Sequence, residues 1–314
     1  MAKTIYNFDQ IIDRRHSDSV KWRAFDEDVL PLWVADMDFP APEPVIRALR
    51  ERVEQGVFGY GAEPAGLRDV IVARLADRYD WRVAAEDLLF VPGVVTAFNI
   101  ACHATGSPGD GVLVQTPVYY PMLDAPAHAG RTRAEMELTR EPNGRYVVDA
   151  DAFEAALTKR TRLFLLCNPH NPVGRVFDRG ELARMAEICL RHDVTICSDE
   201  IHCDLLLDGH RHVPIASLAP EIAARTITLM APSKTYNVAG LHCSVAIIQN
   251  KALREQYQRA QQGLVSSVNI MGFVAALAAY RDGQPWLNAC LAYLNANCDY
   301  LEDYVAAKDR KSVV

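Results

Sequence analysis

The chain has 314 residues and a formal net charge of −7, and half of its residues are hydrophobic. This composition is typical of a globular protein, and the acidic balance argues against a nucleic-acid partner. No apolar run approaches the roughly 20 residues that a membrane-spanning helix needs, and the first ten residues lack the apolar core of a signal peptide. We therefore expect a cytoplasmic protein that binds neither membranes nor nucleic acids.

Helical and strand-like patterns alternate through the middle of the chain. Helices are predicted to begin near residue 42 and to cover 64–79 and 179–191, where apolar residues recur at helical spacing. Short apolar runs indicate strands at 88–91, 112–115, 163–167, 194–197, 226–230 and 244–248. Because these runs are continuously apolar, they predict an α/β fold with a mostly parallel sheet covered on both faces.

Chemically useful residues follow five of these runs. In a parallel sheet, ligands bind beyond the carboxyl ends of the strands, so these positions are expected to lie together. In chain order they are a glycine turn before Val94, then Tyr119, Asn171, Asp199 and Lys234.

The five positions suit an anionic, planar, aromatic cofactor. The N–H groups of a helix that begins near Val94 can hold a phosphate, and Tyr119 can stack on a ring. Asn171 can donate to a phenolic oxygen, and Asp199 can pair with a protonated ring nitrogen. Lys234 lies in an uncharged stretch, where desolvation lowers the pKa of its amine. A lysine together with such a carboxylate is the pattern for pyridoxal phosphate.

The chain also resembles the fold-type I pyridoxal-phosphate enzymes of the aminotransferase class I/II superfamily. Among them it is similar to the C–S β-lyases, the cystathionine β-lyase and maltose-regulon-modulator-like group. Seven motifs carry this resemblance: Lys-Trp at 21–22, Trp-Val-Ala-Asp-Met-Asp-Phe at 33–39, Gly-Tyr at 59–60, Pro-Val-Tyr-Tyr at 117–120, Cys-Asn-Pro-His-Asn-Pro-Val-Gly-Arg at 167–175, Ser-Asp-Glu-Ile-His at 198–202 and Ser-Lys-Thr at 233–235.

The resemblance implies the pyridoxal-phosphate-dependent transferase fold. Its large domain has a mostly parallel, seven-stranded sheet between helices, and a small α/β domain accompanies it. We expect residues 1–48 to form an N-terminal arm and part of the small domain, and 49–284 to form the large domain. Residues 285–314 are expected to begin a C-terminal small domain that is truncated here. The arginine that normally binds the substrate α-carboxylate has no match in this chain.

The resemblance also assigns roles around the ring of the cofactor. Lys234 is the lysine that joins the cofactor covalently and later carries the proton. Asp199 keeps the ring nitrogen protonated, Asn171 contacts the ring oxygen, and Tyr119 stacks on the ring. His202 is a further cofactor-binding candidate.

The resemblance implies that other residues bind the phosphate of the cofactor. Ser233, Val94 and Val95 are expected to bind it. Tyr60 is expected to reach the phosphate of a neighbouring subunit, which implies a homodimer with shared active sites.

Two departures from the pattern of general aminotransferases weaken a simple aminotransferase assignment. His202 stands where those enzymes usually have tyrosine, and His242 stands where they usually have arginine. The implied reaction is α,β-elimination from cystathionine or another cysteine thioether, which yields a thiol, pyruvate and ammonia. An aminotransferase, a regulatory binding protein and an inactive truncated fragment are the alternatives.

A metal site is not expected. His202, Cys203, His210 and His212 lie near one another in the chain, but their spacing fits no standard zinc pattern. The eight cysteines include no Cys-x-x-Cys pair.

Overall fold

The protein is described by a computed structural model that covers residues 6–308. The α-helices are α1 (Val20–Arg23), α2 (Glu43–Glu54), α3 (Leu67–Tyr79), α4 (Val94–Ala104), α5 (Pro121–His128), α6 (Ala150–Ala155), α7 (Arg179–Arg191), α8 (Pro220–Ala223), α9 (Pro232–Thr235), α10 (Lys251–Gln261), α11 (Ile270–Asp282) and α12 (Gln284–Lys308). The strands are β1 (Leu88–Val91), β2 (Gly111–Thr116), β3 (Thr132–Glu137), β4 (Thr139–Arg140), β5 (Tyr146–Val147), β6 (Thr161–Cys167), β7 (Thr195–Asp199), β8 (Thr226–Met230) and β9 (Ser244–Ile247).

Seven strands form one sheet in the order β1-β9-β8-β7-β6-β2-β3. Strand β9 runs antiparallel to both of its neighbours, and every other pair in the sheet is parallel. Strands β4 and β5 form a separate antiparallel pair. The predicted α/β fold with a mostly parallel, seven-stranded sheet is confirmed.

Both faces of this sheet are buried, which explains the continuously apolar runs. Along β6, Leu163 and Leu165 point to one face, where they join Phe98 of α4 in a hydrophobic cluster. Phe164 points to the other face and packs edge-on against Phe153 of α6, with ring centroids 4.9 Å apart. Burying a side chain of this size stabilises the fold by about 1.5–3 kcal/mol.

All six predicted strands are present, but strand β3 was not predicted. Its sequence is Thr-Arg-Ala-Glu-Met-Glu, of which only Met136 is buried. The strand lies at the edge of the sheet and pairs with β2 alone. An exposed edge strand carries no continuous apolar run, so the pattern that revealed the central strands is absent here.

Two of the predicted helices are confirmed as α2 and α7, and the third begins later than predicted. Helix α3 begins at Leu67 rather than near residue 64. Gly66 precedes it with a φ of 81°, a left-handed conformation that a glycine adopts easily and that an α-helix cannot include. The helix therefore begins only after this residue.

The N-terminal arm packs against helix α12. Phe8 lies edge-on to Phe39 and Trp286, with ring centroids 5.0 Å and 5.7 Å apart. Further along the arm, Arg14 and Lys21 form ion pairs with Asp38 at 2.8 Å and 2.6 Å. These contacts tie the end of the segment 33–39 to the rest of the arm and to α12.

Within residues 6–308, no helix combines the length and the apolar character needed to cross a membrane. All eight cysteines are free thiols, and seven of them are buried.

Candidate active site

The carboxyl ends of the parallel strands bring the predicted residues to one edge of the sheet. Pairing of β6 with β7 places Cys167 opposite Asp199, and the next N–H, of Asn168, donates to the Asp199 carbonyl at 2.9 Å. Strand β8 lies on the other side of β7 and leads into α9, which carries Lys234. The charges of Lys234 and Asp199 are close enough to shift each other's pKa.

Asp199 is a buried carboxylate, only 5% exposed, that forms no ion pair among residues 6–308. Its Oδ1 accepts a hydrogen bond from the Ile201 N–H at 3.1 Å. Burial raises the pKa of Asp199 to about 7, and the neighbouring charge of Glu200 adds to the rise. A buried acid without a positive partner fits a protonated ring nitrogen, which would supply that partner.

Lys234 is half-buried, and its Nζ donates to the carbonyl of Ala35 at 2.7 Å. Burial lowers the pKa of the amine, although the negative charges of Asp36 and Asp199 oppose this. The predicted direction of the shift is therefore confirmed. The proximity of Asp36 and Ala35 was missed, because both come from the arm some 200 residues earlier in the chain. An amine of lowered pKa is a better nucleophile for a carbonyl.

The N-terminus of helix α4 is open. Gly93 precedes it with a φ of 118°, and no side chain caps the first N–H groups of the helix. A Cβ at Gly93 would meet no atom within 4 Å, so there is space in front of these groups. Val94 is buried and Val95 is exposed. The N–H groups of both residues belong to the first turn of the helix, where N–H groups have no partner within the helix. This arrangement fits a phosphate.

Tyr119 and Asn171 are joined through their backbones. The Tyr119 N–H donates to the Asn171 carbonyl at 2.9 Å, and both side chains are half-buried. Burial raises the pKa of Tyr119, and the charge of Asp199 contributes to the rise. His170 ties the two loops together, since its ring nitrogens lie 3.0 Å from the Cys167 carbonyl and 2.8 Å from that of Pro117.

His202 and Asn171 line a cavity of about 670 Å³ that opens beside Ala35. Burial lowers the pKa of His202 to about 4, and the charge of Lys234 lowers it further. The imidazole is therefore neutral near pH 7. It can contact a polar ring substituent without adding a positive charge.

Of the other side chains in the histidine and cysteine group, Cys203 is buried in an apolar cluster, and His210 lines the same cavity as His202. His212 Nε2 lies 2.6 Å from Glu200 Oε2, and both side chains are fully buried. Within residues 6–308, no group of three or more histidine, cysteine or acidic side chains is arranged to hold a metal ion.

Three predicted residues differ in their surroundings. Ser233 is half-buried on α9, next to Lys234. Tyr60 is fully exposed in the loop between α2 and α3, and the fold of its own chain gives it no contact with the buried site. His242, at the position where arginine is usual, is exposed and has a φ of 50°.

Asn237 is a structural residue of the site that sequence reasoning missed. Its Nδ2 donates to the carbonyls of Met37 and Phe39 at 2.8 Å and 2.7 Å, and its Oδ1 accepts from the Met37 N–H at 3.2 Å. These bonds hold the arm over α9, where Ala35 meets Lys234. The only feature of the sequence that pointed to Asn237 was its position three residues after Lys234.

The fold and the site together define an α/β protein built to hold a phosphorylated aromatic aldehyde. A buried acid, an amine of lowered pKa and an open helix N-terminus fit the ring nitrogen, the aldehyde and the phosphate of pyridoxal phosphate. Residues 27–313 match the model of the aminotransferase class I and II family. The chain belongs to this family.

Known proteins resemble the chain over most of its length. It is 40% identical over 309 residues to the cystathionine beta-lyase PatB of Bacillus subtilis, covering 96% of this chain and 80% of the relative. The crystal structure of OvoB is 48% identical, with a TM-score of 0.92 and coverage of 96% and 80%. The PLP-bound C–S lyase of Staphylococcus hominis is 34% identical, with a TM-score of 0.88 and coverage of 96% and 77%.

Proposed function

We propose that the chain is a pyridoxal-phosphate-dependent C–S β-lyase that cleaves cystathionine or other cysteine S-conjugates. The products are a thiol, pyruvate and ammonia. The observation that carries the proposal is that an amine of lowered pKa, Lys234, lies near the buried acid Asp199 at the carboxyl edge of the sheet. The likeness to the PatB lyase and to the Staphylococcus lyase supports the choice of reaction.

The cofactor supplies the electronic part of this chemistry. When bound, pyridoxal phosphate offers an aldehyde that condenses with amines and a ring that withdraws electrons from the substrate α-carbon. Asp199 is the residue for the ring nitrogen, since a proton held there satisfies its buried carboxylate. The N–H groups of Val94 and Val95, with Ser233, are the residues for the phosphate.

Lys234 performs the proton transfer in this proposal. Its Nζ would hold the aldehyde of bound pyridoxal phosphate, and the same amine would serve as the base once substrate had freed it. Burial keeps the free amine less basic than an exposed lysine, so a larger fraction is unprotonated near pH 7. The unprotonated amine removes the proton from the α-carbon, and the thiolate leaves from the β-carbon. Water then hydrolyses the released three-carbon enamine to pyruvate and ammonia.

The remaining candidates orient the ring. In the proposal Tyr119 covers one face of it, and its half-buried position near Asp199 supports this role. Asn171 and the neutral His202 line the same cavity and are the residues for the ring oxygen. The hydrogen bond from Lys234 to the Ala35 carbonyl holds the free amine within the site.

A homodimer with shared active sites is part of the proposal. Tyr60 is fully exposed, as are Val57 and Phe58 in the same loop. Large apolar side chains exposed side by side are typical of a subunit interface. Tyr60 is then free to reach the phosphate held by a second copy of the chain.

We also propose the division into 1–48, 49–284 and 285–314, with the outer two segments belonging to one small domain. Packing of Phe8 against Trp286 and Tyr293 of α12 supports this, because it joins the two ends of the described chain.

The reaction is tested by incubating the purified protein and pyridoxal phosphate with cystathionine and no keto-acid acceptor. Equal amounts of pyruvate and ammonia are expected. The Lys234→Ala variant is expected to lose at least about 100-fold in rate, because the proton-transfer group is gone. A reaction that requires a keto-acid acceptor would identify an aminotransferase instead. Equal rates for both proteins would remove Lys234 from the mechanism.

A further inference from the structure

A buried group of charged and polar side chains joins helix α3 to the turn that follows β7. At its centre is Asp204, which is 4% exposed. Its Oδ2 lies 2.8 Å from Arg74 Nη2, and its Oδ1 lies 3.0 Å from Arg78 Nε. The hydroxyl of Tyr79 donates to Oδ1 at 2.6 Å.

Asp204 is held in the ionised form. Burial alone would raise the pKa of this carboxyl, but the charges of Arg74 and Arg78 and the hydrogen bond from Tyr79 keep the pKa below its usual range. Moving or removing one of these side chains would leave a buried charge without its partner, which is costly. The side chains are therefore held in fixed positions around Asp204.

The ionised Asp204 also contacts the helix that carries the lysine of the site. The hydroxyl of Thr235 donates to Asp204 Oδ2 at 3.3 Å, and Thr235 is fully buried next to Lys234. Helix α9 has only four residues, and the Tyr236 N–H closes its single turn on the Pro232 carbonyl at 2.9 Å. One turn has little rigidity of its own, so outside contacts decide its direction.

The turn that carries Asp204 is fixed at its other end too. It begins at Asp199, and the neighbouring Glu200 accepts from Ser198 Oγ at 2.9 Å and from the Ile215 N–H at 3.2 Å. Asp199 and Lys234 therefore sit on two segments that Asp204 connects directly.

We propose that Asp204 is a positioning residue that sets the place of Lys234 relative to Asp199 through the hydroxyl of Thr235. The inference rests on the proposed function, because it concerns the lysine that joins pyridoxal phosphate. Misplacing a reacting group by about 1 Å is enough to slow a reaction severely. Loss of the Thr235 hydroxyl therefore slows covalent capture of the cofactor without removing the cofactor site.

The test compares Thr235→Val with Thr228→Val. Thr228 is also fully buried, on β8, but its hydroxyl has no hydrogen-bond partner among residues 6–308. The cofactor-free proteins are mixed with pyridoxal phosphate, quenched with borohydride at intervals and weighed by mass spectrometry. Equilibrium binding of pyridoxine 5′-phosphate, which has no aldehyde, and the melting temperature are measured on the same samples.

We expect Thr235→Val to capture pyridoxal phosphate about tenfold more slowly than Thr228→Val. Binding of pyridoxine 5′-phosphate is expected to match between the two variants. The melting temperature of Thr235→Val is expected to be the lower one, because only this variant removes a hydrogen bond from Asp204. Thr235→Ser keeps the hydroxyl and is expected to restore the wild-type rate.

The inference is overturned if Thr235→Val captures the cofactor as fast as Thr228→Val, or if Thr235→Ser is as slow as Thr235→Val. It is also overturned if capture and pyridoxine 5′-phosphate binding fall by the same factor in Thr235→Val, since that pattern marks a purely structural role. A wild-type chain that captures no pyridoxal phosphate overturns the proposed function, and this inference with it.

Discussion

At the scale of single residues, burial acts in opposite directions on the acid and the bases of the site. It raises the pKa of Asp199 to about 7, and it lowers the pKa of Lys234 and that of His202. In each case the protein interior disfavours the charged form. The cofactor-free site therefore stores unfavourable electrostatic energy, which a protonated ring nitrogen next to Asp199 would relieve.

This stored energy predicts a pH effect on the stability of the cofactor-free protein. Between about pH 4 and pH 7 the folded chain keeps a proton on Asp199 that the unfolded chain has lost. Stability due to Asp199 is thus fully present below about pH 4 and is lost as the pH rises through about 7. Relative to Asp199→Asn, the wild type should lose on the order of 4 kcal/mol across this range.

The measurement is urea unfolding of both cofactor-free proteins at several pH values. His202 titrates in the same range with the opposite sign, so only the difference between the two proteins is informative. Asp110→Asn is the control, and its pH dependence is expected to have the opposite sign. The Ser107 N–H lowers the pKa of Asp110, so the stability that this carboxyl gives the wild type decreases as the pH falls. A difference between wild type and Asp199→Asn that stays constant with pH would contradict the expected burial effect.

At the scale of secondary-structure elements, helix α4 is oriented by the glycine that precedes it. Gly93 has a φ of 118°, which strains any residue with a side chain, and the space before it is open. The predicted glycine turn is present, and the open helix N-terminus depends on it. The motif alone could not show that space, which the surrounding loops create.

Gly93→Ala is expected to weaken pyridoxal phosphate binding about tenfold, because the strained backbone moves the N–H groups of Val94 and Val95. Gly130→Ala is the matched control. Gly130 has a φ of 64° and open space around it, but it lies before β3, at the opposite edge of the sheet. Equilibrium titration with the cofactor measures both. Equal affinities would show that α4 does not hold the phosphate.

At the scale of the whole molecule, several large apolar side chains are exposed in separate loops and helix ends. Tyr60 and Phe58 precede α3, Val95 lies on the first turn of α4, and Tyr120 follows Tyr119. Val95 and Tyr120 follow the carboxyl ends of β1 and β2, and Tyr60 and Phe58 lie in the loop between α2 and α3. A second copy of the chain is the occupant that the proposed shared site requires.

We expect analytical ultracentrifugation to give twice the mass of one chain. Mixing inactive Lys234→Ala with Tyr60→Ala should then raise activity, because one site of each mixed dimer has both residues intact. Random pairing gives half of the dimers this form, so about a quarter of the wild-type activity is expected. A mixture no more active than the average of its components would show that each site is built from one chain.

The sequence by itself determined much of this protein. The apolar runs predicted six of the seven strands of the main sheet, because strands buried on both faces have no polar positions. Asp199 and Lys234 were found by inspecting the positions that follow those runs, because the carboxyl ends of parallel strands lie at one edge of the sheet. The edge strand β3 escaped because exposure removes the apolar signal.

Only the tertiary structure decided which distant residues complete the site. Asp36, Ala35 and Asn237 reach Lys234 or its helix across some 200 residues, and Asp204 reaches it through Thr235. Local patterns carry no information on such contacts. Burial also decided the size of the Asp199 pKa shift, because desolvation depends on every segment packed around the group.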